Sequence, residues 1–287
     1  MKILVAGSNS FVGKNIAQYY SGSQDIELIL LSRANCDLSK ADDLASICRS
    51  HLPDLVIHSA VSLEDTNNNI AMFLSLEQSS PYFGKAVMIG SGAEYSHQRY
   101  QPDMPESYFD ESHPPSNNHP YHLSKHIISR IHSNSYAHNI YNFRVFGLYG
   151  PFEDFTRRLI TNNIYNYMKT GRMSISANHA FDYLYVDDLI SAIEHFAHSE
   201  NIPKHRTYNV CNGRADRFYS ILSEVVTVLG GSVDDIDIES KEPTDYVYSG
   251  DSSLFQNEFN YTIYQTSYSK ATHILSQWLT PIIASSN

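Results

Sequence analysis

A tyrosine and a lysine four residues apart on a helix share one face, and together they can move a proton. A phenol ordinarily titrates near pH 10, and an ammonium one turn away favours the phenolate, bringing the group towards working pH. Such a tyrosine can supply the proton that a carbonyl oxygen takes up as it becomes an alkoxide. The chain has 21 tyrosines and shows this spacing at Tyr121 and Lys125, within NNHPYHLSKHII, and again at Tyr165 and Lys169. Spacing alone does not choose between the two pairs. The first helix also carries His122 and His126, an i, i+4 pair of a kind that binds zinc. They lie one position along from Tyr121 and Lys125, about 100° around the helix, and no Glu follows His122 as the metalloprotease pattern requires. No metal is expected.

The elements that must position these residues alternate from the start of the chain. KILVAG reads as a strand, Phe11 to Tyr20 as a helix, IELILL as a second strand and Ala41 to Ser50 as a second helix. DLVIHSA, a helix from Asn69 to Glu77, AVMIGS, the Tyr121 helix and YNFRVFG follow. Near-continuous apolar strands separated by helices indicate a parallel sheet covered on both faces, the doubly wound α/β (Rossmann) class. Beyond Pro151 the rhythm changes to a helix over Phe155 to Lys169, a short strand at MSISA, a strand and helix in FDYLYVDDLISAIEHFAH, and a strand in RTYNVCNG. The last seventy residues read as mixed and polar. The expected division is a dinucleotide-binding unit over 1–150, rejoined by about 181–212, and a smaller mixed α/β cap from 151–180 and 213–287.

At 287 residues the chain can bury a large core, and its formal net charge of -11 disfavours nucleic acid or an anionic membrane as the main partner. No apolar run is long enough to span a bilayer, and Met1 and Lys2 lead directly into a strand with no signal-peptide pattern. A cytoplasmic location is expected. Cys36, Cys48 and Cys211 have neither disulfide-framework nor zinc-site spacing and are expected to be free thiols.

The loop VAGSNSFVG places Gly7 directly after the first strand and Gly13 inside the next helix. Glycine at the turn lets backbone approach a pyrophosphate, the helix N-terminus supplies N–H donors, and a second glycine permits close helix-to-strand packing. The pattern is that of a dinucleotide loop, Gly-x-x-Gly-x-x-Gly, with Ser10 at the middle position. The second strand ends in Ser32-Arg33 with no acid before Asp37. An acid there reads the ribose of NAD, whereas an Arg accommodates the 2′-phosphate of NADP. NADP(H) is favoured and NAD(H) is the alternative.

The loop GSNSFVG, the strand end IGSGAEYS, Tyr121-x-x-x-Lys125, FRVFGLYGP and FDYLYVDDL occur in an order that resembles the extended short-chain dehydrogenase/reductase family, in its NAD-dependent epimerase/dehydratase branch. The resemblance runs from residue 1 to about 212, and most members of the family act on nucleotide-linked sugars. It implies that Ser91 is the catalytic serine, which selects Tyr121 and Lys125 over Tyr165 and Lys169, since nothing comparable precedes Tyr165. Ser91 would donate a hydrogen bond to the developing alkoxide, Tyr121 would supply the proton, and Lys125 would also hold the nicotinamide ribose. The implied cofactor groove comprises Gly7, Ser10, Phe11, Val12, Gly13, Ser32, Arg33, Asp37, Leu38, Ala60 and Val61, with Tyr121 and Lys125. A homodimer through the tyrosine helix is a further implication.

Departures from the family pattern narrow the reaction. Members that dehydrate nucleotide sugars carry Asp-Glu directly after the catalytic Ser or Thr; Gly92 and Ala93 stand there, so dehydration is not expected, and Glu94 is expected to point elsewhere on an alternating backbone. A reductase of 4-keto nucleotide-linked sugars is favoured over a 4-epimerase with tightly held NAD. A non-catalytic cofactor-sensing protein is disfavoured, since it has no need of Ser91, Tyr121 and Lys125 together. The substrate is expected at Ser91, Gly92 and Ala93. The Asn that often meets the sugar nucleotide is Gly147, and the Arg that commonly meets its diphosphate is Phe181. Arg157, Arg158 and Arg172 are then the nearest cations in sequence, and the aromatic cap is suited to stacking on a base.

Overall fold

The computed structural model describes residues 1–285. Its first half runs β1 (Lys2–Ala6), α1 (Phe11–Tyr19), β2 (Glu27–Leu31), α2 (Ala41–His51), β3 (Leu55–His58), α3 (Thr66–Gln78), β4 (Lys85–Ser91), α4 (Pro120–Ser133) and β5 (Ile140–Val145). The second half runs β6 (Gly147–Tyr149), α5 (Leu159–Thr170), β7 (Met173–Ile175), β8 (Asn178–Tyr185), α6 (Val186–His198) and β9 (Thr207–Asn209). It continues with β10 (Ala215–Arg217), α7 (Phe218–Val228), β11 (Ile236–Ile238), β12 (Pro243–Tyr248), α8 (Ser253–Phe259) and α9 (Tyr268–Ala284).

The central sheet has the order β2-β1-β3-β4-β5-β9, and every pairing in it is parallel. Alternate residues of β1 enter opposite cores, as a period of two requires. Ile3 and Val5 pack with Val12 and Ile16 of α1 and with Ile190 and Ile193 of α6. Leu4 and Ala6 pack with Leu44, Phe73, Leu76 and Ile128, on α2, α3 and α4. Helices therefore cover both faces, which is why β3 and β5 are buried along their whole length. The chain leaves β1 towards β2 and returns across it to β3, so the strand order reverses there. A crevice opens at the carboxyl ends of strands flanking such a reversal.

The remaining strands lie outside this sheet, except β9, which closes it beside β5. Strands β10, β8 and β12 form a second sheet that β6 joins through β8, and β7 pairs with β11. Two element boundaries differ from the sequence reading for local reasons. Helix α3 starts at Thr66, three residues early, because the Asp65 carboxylate caps the Asn68 N–H at 2.9 Å. Helix α5 starts at Leu159, four residues late, because Asp154 accepts from both the N–H and the hydroxyl of Thr156 and holds that stretch in a turn. The final stretch is more regular than its polarity suggests: α7 buries Ile221, Leu222, Val225 and Val226, and α9 buries Tyr268, Ala271, Thr272, Leu275 and Leu279.

Candidate functional site

The loop after β1 and the start of α1 build one half of the crevice. Gly7 has φ +98°, and a Cβ on it would lie 2.5 Å from the Ala60 N of the loop after β3. The Gly7 and Ser8 N–H groups donate to Leu31 O at 3.0 and 2.8 Å, which ties the turn to the end of β2. Ser10, at the middle glycine position, is the N-cap of α1: its hydroxyl oxygen accepts the Gly13 N–H at 3.1 Å and donates to Ser59 Oγ at 3.0 Å. A serine there replaces conformational freedom with a cap. Among the described residues, the N–H groups of Phe11 and Val12 have no hydrogen-bond partner, and they stand at the positive end of the α1 dipole. A tight glycine turn and free helix-terminal donors fit a pyrophosphate.

At the end of β2, Asn35 shapes the turn by accepting from the Ser32 N–H at 2.8 Å and donating to Leu30 O at 2.9 Å. Arg33 is exposed and has no salt-bridge partner among the described residues. Asp37 is engaged locally, accepting from the Ser39 N–H and hydroxyl, and these hydrogen bonds hold its carboxyl below the usual range. Leu38 is buried in the core under α2. Ala60 borders Gly7, while Val61 is exposed after β3.

The other half of the crevice is chemical. Ser91 ends β4, and Tyr121 and Lys125 stand on the first turns of α4. Pro120 at the helix start, whose fixed φ suits a first turn, sets the frame for both. The buried Lys125 ammonium donates to Ile89 O at 2.6 Å and lies 5.8 Å from the centre of the Tyr121 ring. Burial and the Lys125 charge push His58 down to about 4, so its imidazole is neutral at pH 7. The Ser91 hydroxyl oxygen accepts the Ala93 N–H at 3.1 Å. That contact occupies a lone pair and leaves the hydroxyl proton to be donated towards the pocket, where Tyr248 stands within reach.

A cap residue that sequence reasoning does not mark completes this pocket. Tyr248, the last residue of β12, is buried, and a Cβ on Gly92 would meet its hydroxyl oxygen at 2.5 Å. Burial raises its phenol well above the usual range, the Tyr100 and Tyr121 phenols add to that, and a hydrogen bond with Ser91 opposes it. Its ring packs 4.5 Å from Tyr100, 4.9 Å from Phe146 and 5.2 Å from Phe181. Phe181 also meets Phe218 at 4.9 Å. An aromatic wall therefore surrounds Phe181, the position at which the family pattern has an Arg.

The remaining residues fall into place around this pocket or away from it. Glu94 is buried beneath Ser91, where it pairs with Arg144. It points away from the crevice because the backbone after Ser91 turns into a 3-10 helix instead of alternating. Arg172 is held by Asp235 and Asp237 beside the β7–β11 pair, and Arg157 faces Asp154 at 3.5 Å. Arg158 is the exposed N-cap residue of α5. The exposed Lys169 donates to the hydroxyl of the partly buried Tyr165 at 3.3 Å, with Phe155 alongside, and among the described residues no serine hydrogen-bonds either side chain. His126 faces inward onto Glu94 O at 2.8 Å, whereas His122 stacks near His97 and His119. Among the described residues, no three His, Cys, Asp or Glu side chains are placed to hold a metal ion, and no helix is long and apolar enough to cross a membrane.

Comparison with curated protein sequences finds no match. Solved structures of similar fold are numerous. The dTDP-glucose 4,6-dehydratase of Bacillus anthracis, in complex with NAD, is 19% identical with a TM-score of 0.77, over 98% of this chain and 97% of that one. UDP-glucose 4-epimerase of Thermotoga maritima, with UDP-glucose, is 16% identical with a TM-score of 0.79, over 99% and 100%. A GDP-L-fucose synthetase of Naegleria fowleri bound to NADP is 17% identical with a TM-score of 0.80, over 99% and 95%. These likenesses establish a shared Rossmann-type fold. The sequence model that matches residues 3–211 spans the glycine loop, Ser91, Tyr121 and Lys125 alike, and by that match the chain belongs to the NAD dependent epimerase/dehydratase family.

Proposed function

We propose that the protein is an NADPH-dependent reductase of a 4-keto, 6-deoxy sugar linked to a nucleotide. The observation that carries this reading is the pocket at the end of β4: a serine whose hydroxyl faces the pocket beside Tyr248, a tyrosine backed by a buried lysine, and no acid or base at Gly92 or Ala93. When bound, the dinucleotide supplies the hydride. Ser91 donates to the carbonyl oxygen, Tyr121 gives up its phenolic proton as charge develops there, and the Lys125 ammonium stabilises the phenolate left behind. Ser91 and Tyr121 both act at the carbonyl oxygen and Lys125 acts at the phenolate, so the chain needs no further acid. The solved structures of similar fold act on or bind nucleotide-linked sugars by their descriptions, which supports the substrate class. Incubation with NADPH and a GDP- or dTDP-linked 4-keto-6-deoxyhexose tests the proposal through loss of NADPH absorbance. A pool of such ketones that leaves NADPH unchanged overturns it.

The absence of an acid or base at Gly92 and Ala93 speaks against dehydration. Given NAD and a nucleotide-linked 6-hydroxy hexose, the protein is expected to yield no 4-keto-6-deoxy product by mass spectrometry. The buried Glu94, paired with Arg144, is in no position to supply the missing base.

Cofactor choice rests on Arg33, whose exposed guanidinium follows the strand end that meets the adenosine ribose. It can make two charge-assisted hydrogen bonds to a 2′-phosphate that NAD lacks. One such bond, at about 1.5–3 kcal/mol, corresponds to a preference of roughly tenfold or more. The protein is expected to bind NADPH more tightly than NADH by that factor, and Arg33→Ala to remove most of the difference while leaving NADH affinity unchanged. Calorimetric titration of both cofactors into both proteins measures it. Equal affinities, or NAD that co-purifies, would transfer the assignment to a 4-epimerase.

A further inference from the structure

Beneath Ser91 lies a polar network that the reaction itself does not use. The Glu94 side chain is 1% exposed and the Arg144 side chain 3%. Glu94 Oε1 accepts the Ser91 N–H at 3.0 Å, and Asn142 Nδ2 donates to both carboxylate oxygens, at 3.1 and 2.9 Å. Arg144 Nε donates to Glu94 Oε2. The guanidinium then fans out in two directions. Nη2 donates to Ser129 Oγ of α4 at 2.8 Å, while Nη1 donates to the Tyr95 hydroxyl at 3.1 Å and to Glu106 O at 3.2 Å. His126, one residue past Lys125, holds the Glu94 carbonyl at 2.8 Å.

Two elements therefore meet on one carboxylate, the end of β4 that carries Ser91 and the middle of β5, and the helix that carries Tyr121 and Lys125 joins them through Ser129 on Arg144 and His126 on the Glu94 carbonyl. Close packing enforces the arrangement. A Cβ at Gly90 would come within 2.5 Å of Glu94 Oε1 and would overlap the Asn142 amide. A buried ion pair is a poor source of stability, because desolvation offsets its attraction, yet its directional hydrogen bonds fix geometry well.

We infer that Glu94 is a positioning residue: clamped by Arg144 and Asn142, its carboxylate holds the Ser91 backbone and, through Arg144 and Ser129, ties β4 to α4, setting the Ser91 hydroxyl against Tyr121. This inference rests on the reading of Ser91 and Tyr121 above. Ser91 and Glu94 form a reciprocal cap, the serine oxygen taking the Ala93 N–H and the carboxylate taking the Ser91 N–H. Without the carboxylate, the 3-10 turn loses the bond that orients the serine. Glu94 touches neither ketone nor cofactor in this scheme and acts only through Ser91.

Glu94→Gln keeps the size of the side chain and removes its charge. With NADPH and a GDP- or dTDP-linked 4-keto-6-deoxyhexose, it is expected to lower kcat by roughly tenfold or more, with NADPH affinity and the KM for ketone unchanged. The decisive measurement is a double-mutant cycle with Ser91→Ala. If Glu94 acts through the serine, Glu94→Gln costs little further kcat once Ser91 is alanine. A penalty that adds in full overturns the inference and leaves the site reading standing, whereas a Ser91→Ala protein with undiminished turnover overturns both. Should Glu94→Gln fail to fold, the paired apolar replacement Glu94→Met/Arg144→Leu tests the same idea, since such swaps are often neutral in stability. A folded double variant with wild-type kcat refutes positioning; a folded one with kcat lowered as in Ser91→Ala supports it.

Discussion

Tyr121→Phe is expected to lower turnover of a keto sugar by at least about a hundredfold, the usual scale for removing a positioned acid. NADPH affinity is expected to persist, since Lys125 keeps its contact with Ile89 O and the glycine loop is untouched. The ring itself remains, so packing changes little and thermal unfolding serves as a control. Tyr165→Phe, which keeps the partly buried ring and removes a hydroxyl met only by the exposed Lys169, is expected to leave both quantities within a factor of about two. A reversed outcome, with the Tyr165 protein impaired and the Tyr121 protein active, would reject the pocket at the end of β4 as the site of proton transfer.

Gly7→Ala carries the second large effect. Its φ of +98° costs an L side chain about 1–3 kcal/mol, and the added Cβ would meet Ala60 N at 2.5 Å, so the loop must move away from β3. The N–H groups of α1 move with it. If two charge-assisted bonds to the pyrophosphate are lost, at about 1.5 kcal/mol or more each, affinity for either cofactor falls by at least about a hundredfold. Gly22→Ala is the matched control: it has φ +86° but nothing within 4 Å of an added Cβ. It is expected to lose stability by a similar strain with an unchanged cofactor Kd. Equal cofactor affinity in wild-type and folded Gly7→Ala proteins would show that the loop does not hold the dinucleotide.

Much of this pocket was legible because its parts are local. A glycine turn, a strand end and a helix face are each contiguous in the chain, and their periodicities survive in the folded state. Features built by long-range contact left weaker marks. Tyr248 comes from a strand in which Pro243, Asp245 and Tyr246 are exposed, so no apolar alternation flags it. Arg172 reads as available in the sequence because its partners lie far along the chain: it meets Asp235 and Asp237 across a strand pair. Glu94 was expected to leave the pocket, and it does, but its burial depends on Asn142 and Arg144 in a strand that otherwise reads as apolar core. Helix α9 was obscured by its serines and threonines, although Tyr268, Ala271, Thr272, Leu275 and Leu279 keep a helical interval.

The placement of β9 bears on how the protein is made. Strand β5, with Phe143 and Arg144 at its centre, pairs on its outer side with residues 207–209 alone. Residues 146–206 must be synthesised before that partner exists, several seconds at roughly 5–20 residues per second. Through that interval a nascent chain presents a long, largely apolar strand edge, a template for pairing with another copy. Truncation after residue 150 makes this exposure permanent. The amino-terminal half is therefore expected to aggregate when expressed alone, and chaperone demand during translation should peak before β9 emerges.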